Sequence, residues 1–95
     1  MRAIEHRADA GQFLYQQDGM TCVLDYHLEE QPGSPAVMVI THTGVPQALG
    51  GQGIAADLAH SALEAARAKG WKVNPVCSYI DAYMRRHAAY QELRA

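Results

Sequence analysis

The chain has 95 residues, 48% of them hydrophobic and 19% charged, with a formal charge of −2 and a pI near 6.2. That length confines it to one domain over residues 1–95, that hydrophobic share excludes a disordered chain, and mild acidity excludes a global positive field for nucleic acid. No run approaches a membrane span, Met1–His6 has no apolar h-region, and Cys22 with Cys77 makes no disulfide framework, so a reduced, soluble, cytoplasmic protein is expected.

In chain order, Ile4–Arg7 offers a short first strand and Gln12–Gln16 a second. Asp18-Gly19 is a hairpin signal, because glycine takes positive φ without strain. Thr21–Glu29 then alternates, with Cys22, Leu24, Tyr26 and Leu28 on one face and Val23, Asp25, His27 and Glu29 on the other. That pattern is a half-buried antiparallel strand with one wet side. Two prolines make 31–35 a loop, and Ala36–Thr43 is a β-branched strand. Ile54–Lys69 is alanine-rich and predicts a helix. Its polar arc is Asp57, His60, Ser61, Glu64 and Arg67; its apolar arc is Ile54, Ala55, Leu58, Ala59, Ala62, Leu63 and Ala66. Gly70 is the C-cap candidate. Trp71–Val73 resumes a strand that Asn74-Pro75 ends. Ser78 with Asp81 has the spacing of a capping pair opening a second helix, on which Ile80, Tyr83, Met84 and His87 share the inward stripe. The order is three or four antiparallel strands, a helix, a strand and a helix. A strand–helix–strand passage implies a parallel pair, and the fold class is α+β with a mixed, mostly antiparallel sheet.

The most informative stretch is residues 45–55, between a strand and the alanine-rich helix. Gly50, Gly51 and Gly53 let the backbone turn sharply and approach a ligand closely. The first helical N–H groups beyond Gly53 lack internal partners, which makes an anion site suited to a pyrophosphate. Plain loop geometry is the alternative on spacing alone. A P-loop is excluded, since no Lys-Ser or Lys-Thr follows the glycines. Residues 51–56 fit G-x-G-x-x-[GA], but the dinucleotide fold needs more βα units and an acidic residue where Asn74 stands.

The segment resembles the pyrophosphate loop of the GNAT acetyltransferase superfamily, [QR]-x-x-G-x-[GA], matching through Gly53-Ile54-Ala55. Gly50 stands in place of the opening Gln or Arg and removes one side-chain donor. Together, THTGVPQALGGQGIA and KVNPVCSYIDAYMRRHAAYQEL resemble the small single-domain GNAT-like family, and the likeness covers roughly residues 4–93. It departs at Gly44, where an acidic residue is expected, and at Ala88, where a proline is. The Gly44 departure removes a possible general base.

The resemblance implies acetyl-CoA as cofactor and transfer of its acetyl group to a primary amine. It implies that the strand ending Thr43-Gly44-Val45 splays from its neighbour and pairs with the pantetheine arm. Thr43, Val45 and Gln47, followed by Gly50, Gly51, Gln52, Gly53, Ile54 and Ala55, are then the cofactor-binding positions. His42 is the candidate base by chemistry, although alternation sets it with Met38 and Ile40, where a structural role is the plainer reading. Cys77, at a helix start that favours thiolate, is a nucleophile or proton relay, or a thiol filling a gap. Cys22, on the apolar face of its strand, is core. Tyr83 falls where many GNAT enzymes protonate the departing thiolate; its apolar stripe also suits core. Arg86, with Arg85, is placed to meet the 3′-phosphate or simply to complement the helix dipole. No histidine or cysteine pair has metal-ligand spacing, so no metal is expected.

The expected activity is therefore N-acetyl transfer to an amine on a protein, peptide or small molecule, with no nucleic acid or membrane partner and a monomer or homodimer left open. The rival is a coenzyme A binding or interaction module with little turnover, which Gly44 and Gly50 favour.

Overall fold

The computed structural model describes residues 2–95. Strands β1 (Glu5–Arg7), β2 (Gln12–Gln17), β3 (Met20–Glu29) and β4 (Val37–Gly44) lead into helix α1 (Ile54–Lys69). Strand β5 (Lys72–Pro75) and helix α2 (Ser78–Arg86) follow. A 3₁₀ turn, Gln47–Leu49, precedes α1, and a second 3₁₀ segment, Ala88–Leu93, follows α2. The five strands form one sheet in chain order. All pairs are antiparallel except β4 with β5, which α1 connects as a crossover. This is the expected α+β fold. No helix among the described residues is long and apolar enough to cross a membrane.

The β2–β3 turn is made by Asp18 and Gly19, both at positive φ (54° and 74°), the combination a two-residue hairpin requires. Alternation on β3 holds through Cys22, Leu24 and Tyr26, all buried, and fails at Leu28, which is 38% exposed. Helix α1 buries Ile54, Leu58, Ala59, Ala62, Leu63 and Ala66 against the same sheet face that α2 meets with Ile80 and Met84. Each of the larger of these side chains contributes roughly 1.5–3 kcal/mol by leaving water. Gly70 closes α1, its N–H reaching Ala66 and Arg67 carbonyls.

The polar arc of α1 is captured rather than merely solvated. Tyr90, from the terminal 3₁₀ segment, donates its hydroxyl to Glu64 Oε2 (2.6 Å) and lies 3.0 Å from His60 Nδ1. The chain end then joins the sheet edge, where Ala95 N–H donates to Val73 O at 2.9 Å.

Two expectations about α2 are corrected. Ser78 is its first helical residue and Cys77 the N-cap, in extended conformation (φ −67°, ψ 125°). The Asp81 carboxylate serves no cap; it pairs with Arg94 (2.9 Å) and Arg85 (3.3 Å). His87 is exposed rather than inward, because α2 stops at Arg86 and the stripe ends with it. Its ring stacks on Tyr83 (centroids 3.9 Å apart), with Nδ1 2.7 Å from Tyr83 O.

Candidate functional site

The site begins where β4 and β5 part. Their parallel register runs from Val37–Lys72 to Ile40–Pro75 and stops there. Pro75 brings no N–H to continue a ladder, and Val76 N–H turns back to Asn74 O (3.1 Å). Cys77 N–H donates to Ile40 O (2.9 Å), fixing the start of α2 at the point of divergence. Beyond Ile40, β4 keeps β3 as neighbour on one edge and has no β5 partner on the other. The resulting wedge holds Thr43 Oγ1 and Cys77 Sγ 3.6 Å apart.

A bulge decides what points into that wedge. Asp25 pairs with His42 and Tyr26 with Ile40, leaving Thr41 as an extra residue in β4. An extra residue reverses the alternation beyond it. Thr43, opposite Leu24, therefore joins the core face, and His42, opposite Asp25, is turned to the outer face, where it is exposed. The expectation that His42 shares a face with Met38 and Ile40 is thus corrected. Its Nε2 instead lies 3.0 Å from where a Cβ on Gly44 would stand.

The glycine loop forms the other wall. After the 3₁₀ turn, Gly51 (φ 78°) and Gly53 (φ 83°) both take left-handed conformations that cost a side-chain-bearing residue about 1–2 kcal/mol. Gly50 does not: its φ is −64°. Gly53 is the N-cap of α1 and brings no capping side chain; its carbonyl accepts from Asp57 N–H at 3.1 Å. The amides of Ile54, Ala55 and Ala56 are left without intrahelical partners. They open on a cavity of about 230 Å³, bounded by Val45 and Leu49 on one side, Gly50, Gly51 and Gly53 at the loop, and Tyr79 from α2. Free amides, the positive end of a helix and glycine edges together form a concavity suited to a phosphate or diphosphate.

Of the sequence-predicted positions, Val45, Gly50, Gly51, Gly53, Ile54 and Ala55 line this cavity. Ile54 offers its amide only, since its side chain is buried in the core. Gln47 is exposed and its carbonyl accepts from Gly50 N–H (3.0 Å). Gln52 points away: its side-chain oxygen accepts from Gln17 Nε2 (3.0 Å), and its carbonyl from Arg2 Nη2 (2.6 Å). Sequence reasoning missed Leu49, Ala56 and Tyr79 in the lining, and no spacing rule connects Arg2 or Gln17 to a loop so distant in the chain.

Electrostatics distinguishes the two cysteines. Burial pushes the Cys22 thiol up. At Cys77 burial also pushes up, but hydrogen-bonding groups outweigh it and bring the thiol below its ordinary value: the Ile80 amide, the Thr43 hydroxyl, the Tyr79 amide and the Thr43 backbone. Sγ closes no formal cap bond with α2; proximity to its free first amides is enough to favour thiolate. Burial raises the Tyr83 hydroxyl, and charge on Tyr79, Asp57 and Glu64 raises it further. Burial likewise raises Tyr79, with Arg86 opposing. Arg86 is exposed at the end of α2, whereas Arg85 is engaged by Asp81. No group of three or more metal-ligating side chains gathers among the described residues.

A search of curated proteins returned no match. Against protein-family models, residues 12–93 match the one described as GCN5-related N-acetyl-transferase. That span takes in the sheet from β2 onward, the wedge, the glycine loop and both helices, and so this chain belongs to the GCN5-related N-acetyltransferase family.

Proposed function

We propose that the protein transfers the acetyl group of acetyl-CoA to a primary amine, with the donor's diphosphate held at Gly51–Ala56. The observation that carries this reading is the cavity onto which the uncapped amides of α1 open, lined also by Val45, two residues along the chain from the Thr43 that meets Cys77. Acetyl-CoA supplies an activated thioester. The residues present fit it: glycine edges leave room for a diphosphate, and the unpaired edge of β4 offers backbone groups to a pantetheine amide.

Direct transfer forms a C–N bond and breaks the thioester C–S bond. The chain then has two proton tasks: one proton leaves the amine nitrogen and one goes to the departing sulfur. Tyr83, kept protonated by burial, is the donor we assign. Cys77, with its thiolate favoured, is the group we assign to accept or relay the amine proton. His42 has no part in this scheme, since it faces the other side of the sheet. Arg86 is assigned to the 3′-phosphate.

The test is thiol release from acetyl-CoA across a panel of amines, alongside intact-mass analysis. Steady turnover that falls about tenfold or more in Cys77→Ser and Tyr83→Phe supports the assignment. Saturable coenzyme A binding without turnover on any amine would make the protein a binding module. Absence of binding at millimolar concentration would remove the proposal.

A further inference from the structure

The loop proposed to hold the diphosphate is itself held by a residue far from it in sequence. Arg2 Nη1 bonds Asp57 Oδ2 at 2.5 Å, its Nη2 bonds Gln52 O at 2.6 Å, and its guanidinium lies 5.7 Å from the Tyr15 ring centre. A second cord runs parallel, from Gln17 Nε2 to the Gln52 side chain. Arg2, Tyr15, Gln17 and Asp57 border a separate cavity of about 640 Å³ and line none of the first. Arg2 thus reaches the loop from behind.

We infer that Arg2 is a positioning and charge-compensating residue for the diphosphate loop, an assignment that rests on the coenzyme A reading above. Two physical effects converge on it. The planar guanidinium makes two bonds in a fixed fork, one to the loop and one to the first turn of α1, so the left-handed turn at Gly51–Gly53 is pinned to the helix whose amides it exposes. The second effect is electrostatic. Asp57 suits the positive end of α1, yet the same carboxylate opposes an arriving diphosphate. That carboxylate stands in the first turn of α1, directly after Ala55 and Ala56 of the cavity lining. Arg2 neutralises Asp57 and leaves the helix amides free to act on the ligand.

The test is coenzyme A binding by calorimetry in wild type, Arg2→Ala, Arg2→Lys, Asp57→Asn and the double variant Arg2→Ala/Asp57→Asn, each first checked for cooperative melting. Arg2→Ala is expected to weaken coenzyme A about tenfold. Arg2→Lys restores the charge but not the fork and recovers part of the loss. Adding Asp57→Asn to Arg2→Ala removes the uncompensated carboxylate and also recovers part, an interaction that mere loss of structure would not produce. If wild type binds and Arg2→Ala binds equally well, or if neither second change recovers anything, the role of Arg2 is overturned while the coenzyme A reading stands. If wild type itself does not bind, the coenzyme A reading fails, and this inference fails with it.

Discussion

Cys77 and Cys22 are chemically identical and differ only in surroundings. Cys77 meets free amides and the Thr43 hydroxyl; Cys22 is fully buried among apolar groups. Alkylation by iodoacetamide should therefore label Cys77 and spare Cys22 in the folded protein. Because only thiolate reacts, its rate should reach half-maximum at a pH below the ordinary thiol value, and Thr43→Val should move that midpoint upward. His6 offers a second residue-scale test. Its ring stacks on Phe13 (4.0 Å) with Nε2 2.7 Å from Tyr26 Oη. Burial, with the Lys69 charge, lowers its pKa below 6.5. The unfolded chain then binds the proton more readily. Stability tied to His6 is intact above pH 6.5 and is lost as pH falls below it through the lower folded-state value; melts across that range should show the decline, and His6→Gln should flatten it.

Elements were legible where one local rule governs them. The bounds of α1 follow from alanine content and Gly70, and the β2–β3 hairpin follows from Asp18-Gly19. The bulge at Thr41 was not legible. Nothing in THTG marks an extra residue, since a bulge is set by the register against β3, and this one slip turned His42 out and Thr43 in. The cap of α2 was misplaced for a related reason: Cys77 is fixed by its N–H bond to Ile40 O, a tertiary contact that overrides the local preference for Ser78. The glycine loop was legible as a turn, but only the structure separates its members. Gly51→Ala should cost about 1–2 kcal/mol of stability, because a side chain there must adopt positive φ, and should weaken coenzyme A. At Gly50 the backbone is ordinary, although a Cβ would stand 3.2 Å from Gln47 O, so Gly50→Ala should cost less. Thermal melts and a coenzyme A titration of both variants check the order.

At the scale of the whole molecule, both helices share one core with the sheet, and the segment after α2 closes that core. Tyr90 and Leu93 are buried, Arg94 bonds Asp81 through side chain and backbone, and Ala95 extends the edge of β5. Leu93→Ala should therefore destabilise by about 2–4 kcal/mol, and Tyr90→Phe, which removes one hydrogen bond to Glu64 but leaves that carboxylate its pairing with Arg67, by about 1 kcal/mol. Chemical denaturation reads both. This closure was invisible in the sequence because residues 88–93 carry neither a helical nor a strand period strong enough to announce a packed element.

Coenzyme A binding at this site would depend first on the amides that open α1. Their most direct test is the ¹⁵N–¹H spectrum of the protein titrated with coenzyme A. Saturable shifts centred on Gly51, Gly53, Ile54, Ala55 and Ala56, and extending to Val45 and Cys77, are predicted. Saturable shifts confined to the outer sheet face around Asp25 and His42, or no saturable shift up to millimolar ligand, would contradict it.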